Sequence, residues 1–233
     1  ITLREGNRER LSGELNVAAS QYGAVLEGPI GAHGSFLANV RQSYLDLLFK
    51  AIGASFIPKY TDATVKAVWR PTTRDAVSFL TIAARGTVSF NYASDTARIS
   101  NAQVLAPTQT QYFSGLTWKR LLPHAALTTT LGRTWTRYVS VQNDTLVAPV
   151  FSSRSTEGEN SLRSDLSWSV SPTLSVEAGS QFKLARALAY HATLAGVVRR
   201  DASGVPRALR VDTTFSALRA GSYVQASWQA TSS

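Results

Sequence analysis

Cysteine and methionine are both absent from these 233 residues. Without cysteine, no disulfide framework and no thiolate metal site can form. The three histidines, His33, His124 and His191, stand isolated, so no metal cluster is indicated and no cofactor is expected. No stretch approaches the ~18 apolar residues of a membrane-spanning helix. A nucleophile elbow, a phosphate-binding glycine loop, a dinucleotide fingerprint and an HExxH helix are missing too. Ser180 and Asp201 lie near His191 in sequence, but chance alone supplies such a trio in a chain of this length. The expectation is a protein that is not an enzyme.

Acidic residues are scarce as well: 15 Asp and Glu stand against 24 Lys and Arg, for a net charge of +9. Such a balance first suggests nucleic acid. The basic residues are dispersed, however, and Lys119-Arg120 and Arg199-Arg200 are the only adjacent basic pairs. Dispersed charge makes no stripe, so no nucleic-acid partner is expected. Mean hydropathy is −0.07, which by itself looks soluble. A β-barrel passes the same average, because its strands alternate apolar with polar residues.

What the chain does have is a period of two. Leu162, Ser164, Leu166, Trp168 and Val170 share one face, opposite Arg163, Asp165, Ser167 and Ser169. Leu174, Val176, Ala178, Phe182 and Leu184 repeat the pattern opposite Ser175, Glu177, Gly179, Gln181 and Lys183, after the tight turn Ser171-Pro172-Thr173. Leu80 and Ile82 fall out of phase with Val77 and Phe79, and Arg133 lies in phase with Leu131 and Trp135.

The alternation predicts about ten strands, at 10–19, 22–28, 35–44, 60–70, 77–90, 109–120, 126–139, 160–170, 174–186 and 218–230. Short connections at 29–34, 71–76, 121–125 and 171–173 alternate with long ones at 45–59, 91–108, 140–159 and 187–217. Trp69, Trp118, Trp168 and Trp228 recur at one end of successive strand pairs. Short turns on one side, long loops on the other and an aromatic girdle describe an antiparallel transmembrane β-barrel segment, with the turns periplasmic and the loops extracellular. A soluble β-sandwich that packs the tryptophans in its core remains an alternative.

Two groups of residues are candidates for function. Arg41, Asp62, Lys66, Arg163, Asp165, Glu177 and Lys183 fall on the polar face, which in a barrel is the lumen. Leu45, Leu48, Phe49 and Ile52 have helical spacing within a long loop and are expected to form a helical turn or two over the barrel mouth. A cation at Leu166, taken as lying near the bilayer midplane, should cost ~2–4 kcal/mol, whereas Arg163→Lys should be nearly silent.

Ile1-Thr2-Leu3-Arg4-Glu5-Gly6 resembles the last plug strand of TonB-dependent outer-membrane receptors. Leu26-Glu27-Gly28-Pro29-Ile30-Gly31, Gly34-Ser35-Phe36-Leu37 and the run Arg41 to Leu48 are similar to that family's first barrel hairpins. Ala220 to Trp228 resembles a later strand. The group with an N-terminal carboxypeptidase-regulatory-like domain is the most similar. The resemblance implies a plug followed by about 22 strands, so the chain is expected to be an excerpt. Residues 1–9 would be the tail of the plug, and residues 10–233 the N-terminal part of the barrel, open as an excerpt. It further implies a place in the bacterial outer membrane and energised uptake of a large, scarce solute. The implied partners are outer-membrane lipid, the TonB complex through an upstream region, and an unknown extracellular ligand. If the chain is instead whole, a passive channel or small structural barrel is the alternative.

Overall fold

The computed structural model describes residues 3–230, apart from the side chains of 187, 188, 195–199 and 206–208. Ten strands follow one another as β1 (Ser12–Val17), β2 (Gln21–Ile30), β3 (Gly34–Ser43), β4 (Phe56–Trp69), β5 (Asp75–Phe90), β6 (Ala106–Leu122), β7 (Ala125–Asn143), β8 (Pro149–Ser171), β9 (Leu174–Arg200) and β10 (Pro206–Trp228). Each pairs antiparallel with the next, giving one ten-stranded sheet with β1 and β10 at its edges. Two helices, α1 (Leu45–Ala51) and α2 (Asp95–Ala102), lie in the β3–β4 and β5–β6 connections.

The sheet has no core. Val68 and Ala185 are the only buried hydrophobic residues among those described. A sandwich would bury the inner faces of two sheets against each other. This chain has a single layer and leaves Leu131, Leu162, Phe182 and Val224 exposed on one face. The sandwich alternative is therefore excluded.

Two of the expected long loops do not exist. Residues 140–159 and 187–217 belong mostly to β7, β8, β9 and β10, and only the tips 144–148 and 201–205 are loops. Strand length climbs from 6 residues in β1 to 27 in β9. Segments such as Ser152 to Asn160 are polar on both faces, so they carry no period of two. Backbone pairing nevertheless continues, with Gln142 opposite Phe151 and Tyr138 opposite Ser155. Each tip is closed by an aspartate. The Asp144 carboxylate accepts from the amides of Leu146 and Ala148, and the Asp201 carboxylate from those of Ser203 and Val205, all at 2.8–3.0 Å. Gly204, at φ 77°, supplies the left-handed residue of the second tip. The connections at 44–55 and 91–105 are long, as expected.

Register gives the tilt of the strands. Trp69 lies in one transverse row with Val77, Trp118, Thr129, Ser164, Ser180 and Ser222. Trp168 lies four residues below that row on β8, and Trp228 six below it on β10. Six residues along β10 cover ~20 Å, and the six strand spacings from β4 to β10 cover ~29 Å. A line from Trp69 to Trp228 thus slopes about 35° to the rows, within the strand tilt of outer-membrane barrels. Trp168 falls on the line and Trp118 departs from it by two residues.

β9 is irregular at two places: near its top, where Ala208 opposes Val198 but Leu209 opposes Leu194, and in its middle. Gly158 and Thr156 of β8 oppose Arg186 and Ala189, and Ala217 and Phe215 of β10 oppose Ala185 and Leu188. Both neighbours therefore find one extra residue in β9, and Ala187 is the position common to the two gaps. This is a β-bulge, and it exchanges the faces of the β9 residues above it as far as Leu194.

Candidate functional site

Alternation divides the sheet into two unlike faces. One carries Trp69, Trp118, Trp168 and Trp228 with the exposed Leu116, Leu131, Leu162, Phe182 and Val224. On β9 this apolar run extends from Leu174 to Leu184, interrupted by Ser180, ~33 Å along the strand and about 27 Å when projected at 35°. That height is close to the ~25 Å apolar band of an outer-membrane barrel.

The other face holds all seven charged residues singled out in the sequence. Arg41 opposes Asp62 across β3–β4, and Nε of Arg41 donates to the carboxylate at 2.9 Å. Arg163 donates to both oxygens of Asp165, at 2.6 and 3.0 Å, and the Tyr223 hydroxyl donates to the same carboxylate at 3.0 Å. Lys183 lies 3.3 Å from Glu159, which also pairs with Arg219. Lys66 donates to the Leu3 carbonyl. Glu177 opposes Ser167 and Gln225. The seven do not gather into one centre; they are spread over β3, β4, β8 and β9.

Residues 3–8 cross this face as a strap. Glu5 accepts from both guanidinium nitrogens of Arg70, at 2.6 and 3.0 Å, and from Arg8 at 2.7 Å. Arg4 pairs with Glu27, which also accepts from the Asn7 amide at 3.1 Å. Gly6 touches the β3 backbone so closely that a Cβ there would stand 1.9 Å from the Phe36 carbonyl oxygen. Ser35 and Val68, paired across β3–β4, are among the few buried side chains.

The out-of-phase residues of β5 also find a place here. Leu80 and Ile82 share the face with Phe113, which opposes Ile82 and whose ring lies against Gly115. Val77 and Phe79 face the other way, beside Trp118 and Leu116. β5 is thus apolar on both faces, and this erased its period.

Above the β9 bulge, Tyr190 turns to the charged face. Its hydroxyl donates to Glu157 at 2.8 Å, and its ring stacks on Phe215 at 5.9 Å. The Glu157 carboxylate raises the Tyr190 phenol above its ordinary value. A concavity of about 450 Å³ is lined here by Thr134, Thr136, Glu157, Glu159, Tyr190 and Arg219. No alternation rule reaches it from sequence, because the bulge inverts the phase.

At the opposite end from the short turns, α1 carries the expected apolar residues. The Phe49 ring meets Phe56 of β4 edge-on at 5.5 Å, Leu45 is half-buried, and Leu48 and Ile52 remain exposed. Helix α2 was not foreseen. Its signal is Ser94, whose hydroxyl accepts from the Ala97 amide at 3.2 Å as an N-cap.

Ser180, His191 and Asp201 are not brought together: eleven residues of strand, roughly 35 Å, separate the first two. His191 pairs with Asp212 instead, at 3.0 Å. Among the described residues no group of three His, Asp or Glu is placed to hold a metal ion.

No protein-family model matches the chain, and no curated protein matches it in sequence. Solved structures do match in shape. The ferric yersiniabactin uptake receptor FyuA of Yersinia pestis is 14% identical with a TM-score of 0.58. The alignment covers 91% of this chain and 35% of that one. The copper transporter OprC gives 12% identity and a TM-score of 0.56, covering 97% of this chain and 35% of OprC. The ferric-catecholate import receptor Fiu of E. coli K12, in its open form, gives 10% and 0.54, covering 97% and 46%. The chain therefore spans less than half the length of the structures it matches. Its fold is that of part of the β-barrel in these structures: an antiparallel meander with one apolar and one charged face.

Proposed function

We propose that the chain is part of the wall of a TonB-dependent outer-membrane receptor that takes up a large, scarce solute. Metal chelates, oligosaccharides and peptides are the solute classes this reading embraces. In it, residues 1–9 end a plug domain, and residues 10–233 begin a barrel completed by further strands. The group with a carboxypeptidase-regulatory-like N-terminal domain is the proposed subfamily, on the motifs at 1–6 and 26–48. The location is the bacterial outer membrane, with its lipid as one partner and TonB, acting on an upstream region, as another.

The single observation carrying this reading is the exposed apolar band, about 27 Å high, on a sheet that has no core. Two open edges are intolerable in lipid, so further strands are required to close the sheet. The strap at residues 3–8 supports a preceding plug, since it enters along the charged face. Leu80, Ile82 and Phe113 on that face support a lumen filled by protein rather than by water alone.

Within this reading, Arg41, Asp62, Lys66, Arg163, Asp165, Glu177 and Lys183 line the lumen, where they meet the plug or the passing solute. Trp69, Trp118, Trp168 and Trp228 sit at the periplasmic interface. Leu45, Leu48, Phe49 and Ile52 cap the extracellular mouth. Capture would fall to the long loops, and release would follow when TonB pulls on the plug.

The test uses the full-length protein in vesicles whose acyl chains carry bromine. Quenched tryptophan emission, together with retention of the protein by an immobilised TonB C-terminal domain, is the expected result. Quenching without retention would replace energised uptake by the passive channel. Unquenched emission, with cooperative unfolding in plain buffer, would overturn the membrane reading.

A further inference from the structure

The positive charge that is dispersed in the sequence converges on the outer face once the strands are in register. The tryptophan line, followed at its slope of one residue per strand, falls at residue 69 on β4 and near 76, 126 and 175 on β5, β7 and β9. Lys59 stands ten residues above that line, Arg85 nine, and Arg137 and Arg186 eleven each. Along strands tilted by about 35° these offsets correspond to roughly 24–30 Å. The four side chains thus form one level collar at the upper rim of the apolar band. All four belong to the outward set: Lys59 opposes Thr87, Arg85 opposes Thr110, which opposes Arg137, and Arg186 opposes Gly158 beside Trp135. Arg154 and Arg210 stand higher on the same face.

None of these six cations forms an ion pair or a side-chain hydrogen bond among the described residues. The inner face is the opposite case, with Arg41, Arg163, Lys183 and Arg219 all paired to carboxylates. Among the described strand residues above the tryptophan line, the outer face offers one carboxylate, Asp212, and His191 occupies it. A ring of unpaired guanidinium groups at the edge of a hydrocarbon band calls for an anion held at that depth. Arginine forks suit phosphate oxygens, which accept two parallel hydrogen bonds.

We propose that this collar binds the phosphate groups of a phosphorylated glycolipid in the outer leaflet, Lys59, Arg85, Arg137 and Arg186 being the contact residues. The proposal rests on the lipid-facing reading above. The strand spacing places Arg85 and Arg137 ~10 Å apart, and Arg137 and Arg186, two residues out of row, ~12 Å apart, so neighbouring cations can engage separate phosphates. Thr87, Thr110 and Thr156 between them leave room for headgroups.

The test places the full-length protein in neutral phosphatidylcholine nanodiscs and titrates diphosphoryl lipid A against its dephosphorylated form. Each basic residue near an anionic surface contributes about five-fold in affinity, so R85Q/R137Q should weaken binding of the diphosphoryl form about 25-fold. K119Q/R120Q removes the same charge at the far end of the strands and should leave binding unchanged. Equal affinity for both lipid forms, or equal loss in both variants, would overturn the proposal. So would displacement of the lipid by millimolar inorganic phosphate. Failure to enter the neutral nanodisc would remove the lipid-facing reading with it; entry without preference would remove the collar alone.

Discussion

The Tyr190 hydroxyl meets the Glu157 carboxylate at 2.8 Å because β9 holds one residue more than either neighbour. Strict alternation from Ala185 would turn Tyr190 outward. Ala187 takes up the extra place, and the upper part of β9 resumes pairing with its phase reversed. Deleting Ala187 should therefore make pairing regular from Leu174 to Leu194 and leave Tyr190 facing inward. In the full-length protein, Tyr190→Cys with Thr213→Cys should form a disulfide both with and without Ala187, since the two residues are directly opposed. Loss of that cross-link on deletion would show that the phase reversal lies elsewhere.

Depth along β8 sets the cost of a charge on the apolar face. Leu166 lies two residues above Trp168, only about 5 Å into the band at the strand tilt. Leu162 lies six above it, about 16 Å, close to the midplane of the band. The full penalty expected at Leu166 belongs instead to Leu162. Leu162→Arg should cost ~2–4 kcal/mol, and Leu166→Arg about 1 or less. Arg163→Lys, on the charged face, loses the two-pronged contact with Asp165 but in an exposed pair, so ~0–1 kcal/mol is expected. Urea unfolding of the full-length protein from bilayers gives all three values, and equal costs at 162 and 166 would contradict the assigned depth.

The strap is anchored at its middle. Glu5 is its most heavily used side chain, joined to both Arg8 and Arg70. Gly6 is the one residue there that lies against the β3 backbone without a side chain. Gly6→Ala should lift the strap, because a carbonyl oxygen stands where the Cβ would go. Glu5→Gln should loosen it while leaving Arg4–Glu27 in place. Hydrogen exchange at the Asn7 amide, which donates to Glu27, should speed up strongly in Gly6→Ala and weakly in Glu5→Gln. Unchanged exchange in Gly6→Ala would mean that the strap does not rest on β3.

Most of the wall was legible because alternation survives wherever one face meets an apolar medium and the other does not. Leu162 to Val170 and Leu174 to Leu184 show it with one serine each on the apolar face, Ser164 and Ser180, and their hairpin has the expected turn. Legibility fails where that contrast fails. In β5 both faces are apolar, so Leu80 and Ile82 obscure Val77 and Phe79. In Ser152 to Asn160 both faces are polar, and the segment reads as loop although it is strand. Arg133 looked like a violation but lies below the stacked Tyr112 and Trp135. There its guanidinium donates to the Tyr112 hydroxyl and the Asn160 side chain, both at 2.8 Å. The candidate charges were found by face, yet their partners were not, since Glu159 with Arg219 and Tyr190 with Glu157 depend on cross-strand register and one bulge.

The tryptophans supply the strictest check on the geometry. In rows of paired residues Trp69 and Trp228 are six residues apart, which in an untilted sheet would separate them by ~20 Å in depth. With strands tilted by about 35° the same two residues come to one level, and Trp168 joins them. Trp135 belongs to the other rim, about 24 Å higher on the same reckoning. Single-tryptophan variants of the full-length protein, in bilayers brominated at known depths, should report one common depth for Trp69, Trp168 and Trp228, with Trp118 displaced by about 5 Å. Trp135 should be quenched from the opposite leaflet. If Trp69 and Trp228 instead differ by ~20 Å, the strands run straight along the membrane normal, and the level collar of Lys59, Arg85, Arg137 and Arg186 would break into steps.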